Sequence, residues 1–117
     1  IFMTLVTDQN ASVRETVYRA ISRKDATKYE AILLSGLQDI NEAAQLAAIK
    51  SIGWSGLEID TMHLSVFLVH ENPELRLHSL RAIFRIDPEA AKSLPQLKAL
   101  KDDSNPKVAR EAQRIAQ

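Results

Sequence analysis

The 117-residue chain balances 15 Lys and Arg against 15 Asp and Glu, so as a whole it offers no net field to nucleic acid or an anionic membrane. With no cysteine it carries no disulfide framework, thiolate zinc site or thiol nucleophile. Apolar content of 45% with 5% aromatics, 3 Gly and 4 Pro points to helices packed through Leu, Ile and Ala, not to a many-stranded β fold.

Asp8-Gln9-Asn10 reads as a turn before a helix running from Ser12 to about Lys24, with Val13, Val17, Ala20 and Ile21 on one apolar face. Asp25 or Thr27 caps a second helix that buries Tyr29, Ile32, Leu33 and Leu37 and breaks over Gly36 to Asp39. Asn41 caps a third, with Ala44, Ala48 and Ile52 inward, and Gly53-Trp54-Ser55-Gly56 stops it. Asp60 or Thr61 starts a helix carrying Leu64, Phe67 and Leu68. Asn72-Pro73 starts the next, with Leu75, Ala82, Ile83 and Ile86 on its inner face. Asp87-Pro88-Glu89 opens a short helix or turn, Leu94 to Lys101 forms another, and the last helix buries Val108, Ala112 and Ile115.

The longest apolar stretch, Val66 to Val69, falls far short of the roughly 20 residues of a membrane span. The start, Ile1 to Thr4, has neither the basic nor the apolar region of a signal peptide and no initiator Met. These features set the expectation of a cytoplasmic chain that is a piece of something longer.

One pattern recurs along the sequence. Val13-Arg14 leads to Ala20-Ile21, Ala44-Gln45 to Ser51-Ile52, and Leu75-Arg76 to Ala82-Ile83, each copy 31 residues after the last. A fourth copy starts 33 residues later at Val108-Ala109. A fixed period in this range is the mark of a stacked helical array.

The segments Asp8 to Arg14 and Glu71 to Arg76 resemble the inter-helix turn of HEAT repeats of the short bacterial type, also called PBS-lyase HEAT-like repeats. The resemblance implies an all-α fold: an α-solenoid of about four helical hairpins, right-handed in its superhelix and with the first hairpin truncated. It places repeats near 1–24, 25–53, 57–86 and 87–117 of a single domain. In that family the turn Asp and the helix Arg commonly hydrogen-bond between neighbouring repeats. Asp8, Asp39 and Asp103 stand at the Asp position here, with His70 replacing it in the third repeat. Arg14 and Arg76 stand at the Arg position, with Gln45 and Ala109 in the other two, so the implied ladder is interrupted.

No nucleotide-binding, hydrolase, zinc-protease or EF-hand motif occurs, and no catalytic residue, metal or cofactor is expected. His63 and His70 share a helix face and Glu74 lies four residues before His78, a weak metal-ligand spacing more simply read as surface and turn residues. Trp54 is expected to pack over the joint between the second and third hairpins, as large apolar residues are mostly buried; the alternative is an exposed anchor for a partner.

Charge is unevenly placed. The second helices with their flanking basic residues hold eleven cations (Arg14, Arg19, Arg23, Lys24, Lys50, Arg76, Arg81, Arg85, Lys107, Arg110 and Arg114) against Glu15, Glu42, Glu74 and Glu111. Helix dipoles account for part of this. They do not account for Arg19, Lys50, Arg81 and Arg114 recurring at one repeat position. Arg19 lies roughly opposite the apolar face of its helix, so one cation per repeat projects outward. By resemblance the second helices line the concave groove, where Leu46, Ile49, Leu77, Leu80 and Phe84 add more apolar surface than one narrow face requires.

The reading is a non-catalytic scaffold that binds a protein or peptide, preferably acidic, through Arg19, Lys50, Arg81 and Arg114 with Leu77 and Phe84 as apolar contacts. The alternatives are a nucleic-acid-binding protein, which balanced charge and absent interleaved aromatics argue against, and an accessory subunit of a lyase-type enzyme. End-to-end self-association or further repeats would cover Phe2 and Leu5 at the open end of the stack.

Overall fold

The computed structural model describes residues 8–21 and 25–117, and all regular structure among them is helical. Arg23, Lys24, Phe2 and Leu5 lie outside the described residues. The chain divides into two compact units, Ile1–Leu57 and Glu58–Gln117. No described helix is long and apolar enough to cross a membrane.

In the first unit, α1 (Ala11–Ala20), α2 (Glu30–Gly36) and α3 (Glu42–Ser55) are organised around α3, which packs against both of the others. A helix covered on two sides buries residues all round, and Ala44, Ala47, Ala48, Ile49, Ile52 and Gly53 are all buried. Its stop is Gly56 alone, whose φ of 69° is left-handed; Gly53 is inside the helix.

α1 ends at Ala20, short of the expected Lys24, with Ile21 already extended. Its buried face is Val17, Tyr18 and Ile21, while Val13 is half-buried and Ala20 exposed. The face turns toward Tyr18 because α2 presents a glycine there. A Cβ on Gly36 would lie 2.7 Å from Ala48 Cβ and 3.0 Å from the Tyr18 ring.

In the second unit, α4 (Met62–Ser65) runs on into a 3-10 turn (Val66–Val69), and α5 (Pro73–Ile86), α6 (Pro88–Lys92), α7 (Leu97–Leu100) and α8 (Pro106–Ala116) follow. α5 is the hub, touching α4, the 3-10 turn, α6 and α8, and α7 lies on α8. Pro73, Pro88 and Pro106 each open a helix where no backbone donor is required. Leu64, Leu68, Leu75, Leu80, Ile83, Val108 and Ile115 are fully buried, each stabilising the unit by about 1.5–3 kcal/mol of apolar transfer. Ile86, expected on this face, is half-buried.

Gly36→Ala tests the close packing of α2 on α3. Alanine gains roughly 1 kcal/mol of helix propensity over glycine, but its methyl meets another methyl carried on a rigid backbone. A net loss of about 1–2 kcal/mol is expected, seen as a lower urea midpoint at unchanged slope. A raised midpoint would show that the two helices part freely.

Candidate functional site

The turns that precede α1, α3, α5 and α8 follow one design. An asparagine caps each of these helices: Asn10 accepts from the Ser12 N–H (2.8 Å), Asn41 from Ala44 (3.0 Å), Asn72 from Glu74 (2.9 Å) and Asn105 from Lys107 (2.9 Å). Two residues earlier, another side chain accepts the N–H of that asparagine. Asp8 does so at 2.7 Å, Asp39 at 2.9 Å and Asp103 at 2.8 Å. His70 takes the same role with Nδ1 at 2.9 Å from the Asn72 nitrogen, which requires that nitrogen to be unprotonated. The histidine at this position therefore completes a turn.

The helix arginines join these turns within each unit. In the first, Arg14 donates through Nε and Nη2 to the two Asp39 carboxylate oxygens at 2.7 and 2.9 Å, and through Nη1 to the Asp8 carbonyl at 2.7 Å. In the second, Arg76 donates to Asp103 at 2.9 and 2.8 Å and through Nη1 to the carbonyls of His70 and Glu71. Two parallel charged bonds fix orientation as well as distance. Gln45 keeps only the inner half of this arrangement, Nε2 donating to the Asp39 carbonyl at 2.7 Å.

Tyr18 is a second side chain that donates to Asp39, its hydroxyl 3.2 Å from Oδ2. Burial, then the Asp39 charge, push the Tyr18 phenol up from 10.0 to about 12. The Arg14 guanidinium, assisted by the Asn41 N–H and Tyr18, holds the Asp39 carboxyl below its ordinary range against the opposing effect of burial. Burial raises Asp103, but Arg76 and the Asn105 N–H outweigh it and the net shift is downward.

The four outward cations are all exposed. In the first unit Arg19 pairs with Glu15 on its own helix at 3.2 Å, and Lys50 projects from α3. In the second, Arg81 and Arg114 both reach Glu111, a buried carboxylate, at 3.7 and 2.5 Å. The Arg114 guanidinium also lies 5.9 Å above the half-buried Phe84 ring. One carboxylate serving two guanidiniums leaves a net positive charge over an aromatic face.

Leu77 departs from its expected place. It is 3% exposed and belongs to the core, as do Ile49 and Leu80, because neighbouring helices cover more of each second helix than one narrow stripe. Leu46 and Phe84 are half-buried. Trp54 departs in the opposite direction: it is 68% exposed in the last turn of α3, between the buried Gly53 and Ser55. His63 is exposed, His78 lies 3.4 Å from Glu74, and no group of three or more His, Asp or Glu side chains among the described residues is placed to hold a metal ion.

Sequence reading found the Asn41 cap but passed over the capping role of Asn10, Asn72 and Asn105, and over Glu111. Asn10, Asn41, Asn72 and Asn105 keep the same 31, 31 and 33 spacing as the ladder, a signal available in the sequence. Glu111 carries no such mark, since its role comes from being buried between two cations. No known family model matches this chain, and no curated protein does either.

The Asp39 cluster makes stability depend on pH at both ends. Asp39 has a lower pKa folded than unfolded, so its contribution is complete above the ordinary carboxylate range and is lost as pH falls through it. Tyr18 has a raised folded pKa, so its contribution is present below pH 10.0 and lost as pH rises toward about 12. Urea midpoints measured against pH should show both limbs. Tyr18→Phe should flatten the alkaline one and Asp39→Asn should reduce the acid one, leaving the share of Asp103; equal alkaline losses in wild type and Tyr18→Phe would contradict the assignment.

Proposed function

We propose that this chain is a non-catalytic, HEAT-like scaffold that binds an acidic protein or peptide segment through the cationic faces of its second helices. The reading is supported above all by the exposure of Arg19, Lys50, Arg81 and Arg114, one cation at the same position of each repeat. Helix contacts within each unit, α1 against α3 and α5 against α8, support the solenoid part of this reading. Arg114 over Phe84 supplies a contact that is both cationic and aromatic, suited to a carboxylate beside an apolar side chain. The apolar share of the contact falls to Phe84 and the rim of Leu46, since Leu77 is in the core.

The test uses charge-changing variants of each unit, Arg19→Glu with Lys50→Glu and Arg81→Gln with Arg114→Gln. Glutamine is chosen in the second, with Glu111→Gln added, because a carboxylate buried without its cations, or a new one beside it, would threaten the fold. Binding of a Glu-rich, leucine-containing peptide should weaken by about tenfold or more in the variants, with helicity unchanged. Unchanged affinity in both variants at low salt would contradict the proposal. Tighter binding of duplex DNA than of the peptide, falling steeply with salt in a gel shift, would place the cations on a phosphate backbone instead.

A further inference from the structure

We propose that the outward face of α4 and its 3-10 continuation is a second docking surface, and that its partner is a cationic amphipathic helix. The face lies in the second unit and does not involve the cations of the second helices. Met62, Val66 and Val69 are 71%, 64% and 77% exposed and stand at i, i+4 and i+7, so they line one side of this helical segment.

Their apolar character is not imposed by the repeat. With Asp39, His70 and Asp103 as the common register, the same three positions hold Ala31, Ser35 and Gln38 in the second repeat and Pro95, Ala99 and Asp102 in the fourth. All six are exposed, and all are small, polar or Pro. Nor is the stripe overflow from the core, because Leu64, Phe67 and Leu68 already fill the inward side of the same segment. Three large apolar side chains in water on one face are a cost that a partner would remove.

Charge identifies the kind of partner. From Ser51 to Leu75 the chain has no Lys or Arg but four carboxylates, Glu58, Asp60, Glu71 and Glu74, all exposed. Asp60 lies two residues before Met62 and Glu71 two residues after Val69. Carboxylates at both ends of the segment repel an anionic bilayer, and they oppose a second copy meeting the first through the same face, since like charges would then confront one another. A helix with apolar residues at i, i+3, i+4 and i+7 and Lys or Arg beside them matches both the stripe and the carboxylates at its ends. The length of the segment, two turns, suits three anchors and not a flat, extended contact.

The surface can be tested with the full chain and a labelled Leu/Lys amphipathic peptide, its Leu/Glu counterpart, and phosphatidylcholine/phosphatidylserine vesicles. The Leu/Lys peptide should bind, and its dissociation constant should rise about tenfold or more on Val66→Ser with Val69→Ser. It should rise again on Glu58→Lys with Glu71→Lys; Asp60 is left in place because its carboxylate accepts the Met62 N–H at 2.9 Å. The Arg19→Glu/Lys50→Glu variant should bind this peptide as wild type does, which separates the surface from the cationic faces. Methyl shifts of Met62, Val66 and Val69 during titration of the unaltered chain give a readout independent of any variant's stability. Equal binding of the Leu/Glu peptide or the vesicles, or methyl shifts confined to other residues, would overturn the proposal.

Discussion

A guanidinium held between two turns is the interaction on which each unit depends. Arg76 reaches back to the carbonyls of its own turn and forward to both oxygens of Asp103, and Asp103 in turn holds the N–H of Asn105, which caps α8. One side chain thus ties helix entry, turn shape and neighbour position into a single network. Removing such a pair from water is costly, and the offset comes from satisfying nearly every lone pair and proton it brings. Its value lies in the register it enforces between hairpins whose Leu and Ile faces would tolerate small slips.

The two complete networks lie one in each compact unit, Arg14–Asp39 in the first and Arg76–Asp103 in the second. In sequence the ladder positions between Arg14 and Arg76 include Gln45 and His70, and the Oε1 of Gln45 is buried without a hydrogen-bond partner. A carboxamide has neither the charge nor the fork of a guanidinium, and His70 spends its Nδ1 on Asn72. Inside each unit the outward positions take no part in these networks. The second helices use theirs for cations, and α4 with its 3-10 turn uses its own for an apolar stripe with carboxylates at both ends.

Much of this was legible in the sequence because the repeat separates inward from outward positions. The inward sets Leu64/Phe67/Leu68 and Val108/Ala112/Ile115 are buried where periodicity places them. The α1 face was displaced because periodicity counts apolar residues, whereas Tyr18 is drawn inward by a glycine on another helix and a carboxylate 21 residues away. Leu77 and Trp54 went astray for related reasons: burial depends on which neighbours arrive, and no local pattern records that. Glu111 is the clearest limit, a carboxylate that looks like any surface acid until two arginines close over it.

The central claim, that the Arg–Asp network fixes hairpin register, is tested most directly by a double-mutant cycle on Arg76 and Asp103. Urea unfolding of wild type, Arg76→Met, Asp103→Ala and the double variant gives the coupling between the two side chains. The account predicts a coupling of about 1–2 kcal/mol, with the double variant far less destabilised than the sum of the singles. Additive losses would show that the two residues act separately and that apolar packing alone sets the register.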